Sequence, residues 1–259
     1  MKRTKTIIFL SGFPASPNSW PATAQALSEK GYDVLLPEQR GYSETLRPKK
    51  RRDYKLSLLV GDVIKLMDDK NLTQAHIVGH DWGGVVAWTL AACYPERVAT
   101  LTVVSTPHPK ALLRSLLSSK QIFLSWYMLF FQLPWLPERI LAKQNGQALQ
   151  NSLARTGLKK STATSYAEYM LQPGRLKGAL GWYRAIPYTL RELKKINRVT
   201  VPVLFVHGGK DNFLSDRAAE LTQQWVGSKY EEKSIPDATH WLPEESPELL
   251  AEYIERFIG

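Results

Sequence analysis

The stretch Gly79-His80-Asp81-Trp82-Gly83-Gly84 decides the reading of this chain. It closes an apolar run, His76 to Gly79, and opens a helical pattern, so Asp81 sits in a G-x-D-x-G turn between a strand and a helix. An elbow of this kind lifts its central side chain above the end of a sheet, where it can attack a bound molecule. A serine attacking a saturated carbon would leave an ether that the protein could not readily hydrolyse. A carboxylate leaves an ester that water can reopen, so an aspartate suits substitution at saturated carbon. With a reference pKa of about 3.9 it is ionised at neutral pH without a base, and the N-terminus of the following helix favours the anion further. Acyl transfer is correspondingly disfavoured.

The bulk properties suit a globular catalyst. The chain has 259 residues, 44% of them apolar, and a mean hydropathy of -0.26. That is enough for a substantial core in one domain or two lobes. Met1-Lys2-Arg3 leads only to Ile7-Ile8-Phe9-Leu10 before Gly12 and Pro14, without a small-residue cleavage site, so a secretory signal is not expected. The single cysteine, Cys93, has no disulfide partner within the chain and reads as a small packing residue, which fits a reducing cytoplasm. The longest apolar stretch, Ile122 to Leu136, is interrupted by Ser125, Gln132 and Pro134 and falls short of the ~20 residues that span a bilayer. No stable membrane insertion is expected. The net charge is +10, yet its main cluster, Lys49-Lys50-Arg51-Arg52, lacks interleaved aromatics and reads as a solvated loop. Lys159-Lys160 and Lys194-Lys195 read as exposed in the same way, and nucleic acid is not an expected partner. Neither a ligand cluster nor a phosphate loop is present, so no metal and no organic cofactor is expected.

The order of elements points to an α/β class. Apolar runs bounded by turn signals lie near Lys5 to Ser11, Asp33 to Pro37, His76 to Gly79, Thr100 to Ser105, Val203 to His207 and Tyr230 to Ile235. Helical patterns separate the first four and are clearest at Trp20 to Lys30, Leu56 to Lys70, Gly84 to Cys93 and Glu248 to Phe257. That alternation predicts a mostly parallel sheet flanked by helices. From Pro107 to about Leu190 the strand pattern gives way to aromatic and leucine-rich helical stretches, too long for a loop and read as an inserted lid. The expected organisation is core over 1-107, helical cap over 108-190, and core again over 191-259.

The same residues resemble α/β-hydrolases of the epoxide hydrolase and haloalkane dehalogenase group. The resemblance spans nearly the whole chain: Ser11-Gly12-Phe13-Pro14, Arg40-Gly41-Tyr42-Ser43, the Asp81 elbow and Thr239-His240-Trp241 stand in the family's order. It implies the succession nucleophile, acid, histidine. Asp211, in Gly208-Gly209-Lys210-Asp211, then fills the acid position and His240 the base. The competing acid position, after the strand ending near Ser105, offers only Thr106-Pro107-His108-Pro109. His240 is thus expected to deprotonate the hydrolytic water and Asp211 to orient its ring. His76, His80, His108 and His207 read as structural. The resemblance places the oxyanion hole at the backbone N–H groups of Phe13 and Trp82, with a cis bond before Pro14. Two departures stand out. The histidine usual in the H-G-x-P loop is Ser11 here, and only residues 1–10 precede that loop, so the sheet is expected to hold about six strands with an edge open, paired with another chain or lacking strands of a longer one.

The leaving group separates the two chemistries of this group. An opening epoxide keeps its alkoxide and needs a proton, whereas halide departs as a stable anion and needs only N–H donors. Ser125-Trp126-Tyr127-Met128-Leu129-Phe130-Phe131-Gln132 resembles the first lid-tyrosine motif of epoxide hydrolases and Gly181-Trp182-Tyr183-Arg184-Ala185 the second. Tyr127 and Tyr183 are therefore the expected epoxide-binding acids. Trp126, Trp182, Phe130 and Trp241 are expected to line an apolar substrate pocket. The implied activity converts a hydrophobic epoxide and water to a vicinal diol in a monomer or homodimer. Two readings compete. In a haloalkane dehalogenase Trp82 would donate to halide with Trp126, Trp135 or Trp182 as second donor; a non-catalytic ligand-binding protein would keep the scaffold alone.

Overall fold

Every ladder in the sheet is parallel. In this computed structural model, which describes residues 5–15, 19–194 and 196–259, six strands run β1 (Thr6–Leu10), β2 (Asp33–Leu35), β3 (Ala75–His80), β4 (Val98–Val104), β5 (Val203–Gly208) and β6 (Tyr230–Ile235). Their spatial order is β2-β1-β3-β4-β5-β6. β2, only three residues long, forms one edge. Three core helices follow the early strands: α1 (Pro21–Glu29), α2 (Leu56–Asp69) and α3 (Trp82–Cys93). Between β4 and β5 the chain makes eight helices in succession. These are α4 (Pro109–Leu116), α5 (Gln121–Leu124), α6 (Trp126–Phe130), α7 (Leu136–Leu141), α8 (Lys143–Arg155), α9 (Lys160–Leu171), α10 (Arg175–Arg184) and α11 (Ile186–Leu193). The last three are α12 (Asp216–Thr222), α13 (Leu242–Glu245) and α14 (Pro247–Ile258).

The inner strands β1, β3, β4 and β5 are buried along most of their length because both faces of the sheet are covered, whereas the edge strand β6 carries Glu231, Glu232 and Lys233. In β1 the period-two alternation sends Ile7 and Phe9 to the layer holding Trp20, Leu27, Leu250 and Ile254, on the side of α1 and α14. Ile8 and Leu10 face the opposite layer with Leu59, Val63 and Trp88, on the side of α2 and α3. A parallel sheet wound this way presents its strand ends together, and the β3–α3 junction carries Asp81 there.

The sequence reading and the structure differ in details with physical causes. α3 begins at Trp82 rather than Gly84, because the Asp81 carbonyl already accepts the N–H groups of Gly84 and Val85. Cys93, expected to pack inside, is exposed at the end of α3. Of the basic pairs, Lys159-Lys160 and Lys194 are exposed, and Lys195 lies outside the described residues.

Candidate active site

Asp81 pays a conformational cost for its position: its backbone sits at φ 53°, ψ -126°, a region a non-glycine residue enters only under constraint. Close approach makes the constraint. A Cβ on Gly83 would lie 2.2 Å from the Leu10 carbonyl oxygen, and one on Gly12 would lie 2.0 Å from Asp81 Oδ1. With these hydrogens in place of side chains, α3 packs against β1 and the Gly12 loop closes over the carboxylate. Thr106 reinforces the turn by donating its hydroxyl to the Asp81 carbonyl at 3.0 Å.

Asp81, Asp211 and His240, drawn from three separate loops, converge. His240 Nδ1 donates to Asp211 Oδ2 at 2.9 Å, and His240 Nε2 stands 3.7 Å from Asp81 Oδ2. Asp211 is itself fixed, its Oδ1 accepting the N–H groups of Phe213 at 2.7 Å and Leu214 at 3.1 Å. Burial disfavours the imidazolium, but the two carboxylates outweigh it and push His240 up to about 10. Burial pushes Asp81 up as well; the contact with His240 and the Trp82 N–H outweigh that and hold it below its usual value. The surroundings thus favour the protonated His240 ring beside an ionised Asp81.

The Phe13 N–H donates to Asp81 Oδ1 at 2.7 Å, and the Trp82 N–H hydrogen-bonds the same carboxylate. The Phe13-Pro14 bond is cis. Ser11, at the position of the usual histidine, gives its N–H to the Gln39 side-chain oxygen at 2.7 Å, while the Tyr42 hydroxyl donates to the Gly12 carbonyl at 3.1 Å. The loop is thus held from behind by side chains other than a histidine.

Tyr127 from α6 and Tyr183 from α10 line the space beside the carboxylate, their rings 5.9 Å apart and edge-on to each other. The Trp82 ring packs edge-on against Tyr183, with centroids 5.3 Å apart. Burial first, then the charge of Asp81, raises both phenols far above their ordinary value, so they stand neutral as donors. Two cavities meet here. One, about 220 Å³, runs from Asp81 and Tyr127 past Val85, Leu113, Met128 and Leu193; the other, about 280 Å³, runs from Asp81 and Tyr183 past Phe131, Leu153 and Trp241 to Phe123 and Trp126.

Of the four aromatic residues expected in the pocket, Trp126 and Trp241 line the second cavity. Trp182 and Phe130 line neither, and that expectation is corrected. The Trp182 indole N–H donates to the Arg40 carbonyl at 2.7 Å, which turns the ring behind Trp82, and Phe130 packs on Trp126 and Phe131 within the insert. The indoles needed for a second halide donor are dispersed as well: Trp182 is committed to Arg40, Trp135 borders a separate surface cleft, and Trp126 is mostly exposed.

The sequence reading missed three contributors. Phe213 lies edge-on to His240, with ring centroids 4.8 Å apart, and borders both cavities. Phe131 packs against Tyr183 at 4.8 Å. His80, read as structural, touches His240: its Nε2 hydrogen-bonds the His240 carbonyl at 2.9 Å, so that nitrogen carries the proton, and burial lowers its pKa to about 4. Only Phe213 had a sequence signal, two residues beyond Asp211.

A parallel sheet with a strained carboxylate elbow, an imidazole at its side and donors behind it defines an α/β hydrolase with an aspartate at the nucleophile position. The chain belongs to the α/β hydrolase fold family, which matches residues 5–247. It is 32% identical to human epoxide hydrolase 4 over 97% of this chain and 72% of that one. It is 33% identical to the AB hydrolase superfamily protein YfhM of Bacillus subtilis over 97% and 89% of the two chains. An epoxide hydrolase structure from Vigna radiata superposes with a TM-score of 0.84 at 25% identity, covering 99% of this chain and 91% of that one.

Proposed function

We infer that this chain is an epoxide hydrolase that forms a covalent ester on Asp81 and releases a vicinal diol. The observation that carries the reading is the pair of neutral tyrosines, rings 5.9 Å apart, that share their cavities with the buried Asp81 carboxylate. Asp81 Oδ2, the oxygen not held by Phe13, attacks one oxirane carbon; that C–O bond breaks and the epoxide oxygen takes a proton from Tyr127 or Tyr183. The timing is favourable. Asp81's charge is one reason these phenols resist ionisation, and ester formation removes that charge as the alkoxide appears.

Esterification also strips His240 of one of the two carboxylates that hold its proton. The imidazolium becomes a stronger acid and can return a proton to the tyrosine pair, leaving a neutral base. That base takes a proton from water as the oxygen adds to the Asp81 carboxyl carbon. The oxyanion on Oδ1 meets the N–H groups of Phe13 and Trp82; its collapse breaks the ester C–O bond, the departing alkoxide takes the remaining proton of the added water oxygen, and the diol leaves with Asp81 ionised and His240 protonated as at the start. Asp211 keeps the ring oriented throughout.

Cavities on both sides of Asp81 favour a hydrophobic epoxide with an apolar substituent on each carbon. The division into core (1-107 and 191-259) and cap (108-190) belongs to this reading and is supported by the eight helices between β4 and β5. A reducing cytoplasm suits the single cysteine. Among the described residues no helix is long and apolar enough to cross a membrane. The test is His240→Gln incubated with styrene oxide or a bromoalkane and weighed intact. A gain equal to the whole epoxide on Asp81 supports the reading, an alkyl gain lacking halogen moves the chain to dehalogenation, and no gain from either defeats the covalent route.

A further inference from the structure

The cap exposes an apolar surface that its own packing does not explain. Leu117 is 92% exposed, Phe123 77%, Leu129 76% and Trp126 64%, all within one short stretch of α4 to α6, and Trp135 follows at 61%. So many exposed large apolar side chains within one segment mark an interaction surface. The exposed charge of the same segment is cationic. Between Pro109 and Lys143 the single acid is Glu138, which is bound by Arg184. Arg114, Lys120, Arg139 and Lys143 are exposed with no carboxylate partner among the described residues. Arg139 lies over the Trp135 ring, its guanidinium 5.4 Å from the centroid. Phe123 and Trp126 also form the outer end of the second cavity, whose inner end is Asp81.

We propose that this face, from Leu117 to Trp135, docks reversibly on an anionic bilayer, so that the second cavity opens onto lipid and takes up epoxides dissolved in the membrane. Aromatic and leucine side chains together with lysine and arginine are the composition that seats a helix surface at the headgroup boundary without spanning it. A second copy of the chain is the poorer occupant, because it would set one cationic segment against another in a protein that already carries +10. A bilayer rich in phosphatidylserine reverses the sign of that interaction. The cargo follows from the continuity of patch and cavity and rests on the epoxide hydrolase reading; the docking does not.

The test is flotation with vesicles of phosphatidylcholine alone or with about 30% phosphatidylserine. The expected result is roughly tenfold more bound protein on the anionic vesicles at low salt, falling away near ~0.5 M NaCl. Leu117→Asp with Leu129→Asp, at positions that line neither cavity, should abolish binding and keep turnover of styrene oxide from water. Turnover of a long-chain epoxide dissolved in the vesicles should drop roughly tenfold, since its route is lost. Asp81→Asn should float like the unaltered chain, which separates a failure of docking from a failure of the chemistry. The proposal is overturned if binding ignores phosphatidylserine, if the doubly substituted protein floats equally well, or if light scattering shows a dimer that the two aspartates dissociate.

Discussion

His240 Nε2 lies 3.7 Å from Asp81 Oδ2 while its Nδ1 is bonded to Asp211 Oδ2 at 2.9 Å, so one ring is tightly held by the acid and loosely faces the nucleophile. The wider gap keeps Asp81 Oδ2 open to a substrate carbon. The arrangement also has a thermodynamic signature. The folded-state pKa of His240 is raised to about 10 from 6.5. Its stabilisation is therefore complete below about pH 6.5 and is lost as pH rises through the folded value. The thermal midpoint should fall across that window, with a slope of up to ~1.4 kcal/mol per pH unit from this group. His240→Gln should flatten the profile, and an equally steep fall in the variant would refute the ion pair.

Tyr127→Phe and Tyr183→Phe should each slow ester formation by about 10² in single-turnover experiments, because the remaining phenol must both bind and protonate the oxygen. The double substitution should cost more than either single one and leave the fold intact, since both rings keep their packing against Phe131 and Trp82. Unchanged rates in both single variants would contradict a role for these hydroxyls.

The fold was legible because its signals are local and redundant. β3 and the elbow show an apolar run, a glycine turn and a helix within one short segment, and the first five strands stand where apolar runs alternate with turns, whereas β6 carries three consecutive charges. The pocket was less legible, and neighbouring aromatics show why. Trp182 and Tyr183 are adjacent on α10, about 100° apart around the helix, so only one can face Asp81; the carbonyl of Arg40 decides which. Phe130 and Phe131 pose the same problem at the end of α6, and Phe131 is the one that meets Tyr183. The contact between His80 and the His240 backbone joins residues 160 positions apart. Nothing in either local sequence records it.

Gly12→Ala tests how closely the oxyanion loop must approach. The added methyl would sit 2.0 Å from Asp81 Oδ1, and its neighbours are a backbone turn and a carboxylate already fixed on three sides. The loop must retreat, taking the Phe13 N–H with it. Turnover should fall by roughly 10² or more, in line with the loss of one oxyanion donor. Ester hydrolysis should suffer more than ester formation, because the donor meets full negative charge only in the second step. A variant with near-normal turnover of the trapped ester would show that Phe13 is only a pocket wall.

Glu244 offers a stability test away from the reacting atoms. It sits on α13, close behind His240, and accepts a hydrogen bond from the Tyr166 hydroxyl of α9, which also bonds Ser19 at 2.8 Å. Its second oxygen is buried with no partner among the described residues. Burial dominates and raises its pKa from 4.5 to about 7. For an acid raised in this direction, the folded chain is favoured below pH 4.5 and loses stability as pH climbs through 7, where the buried carboxylate must ionise. Glu244→Gln keeps an acceptor for Tyr166 and removes the charge. It should therefore raise the thermal midpoint at pH 8, by the equivalent of about 1 to 3 kcal/mol, and make no difference near pH 4. Denaturant titrations of both proteins at the two pH values check this directly, and a variant less stable at pH 8 would show that the ionised carboxylate is a net contributor to the junction between α9 and α13.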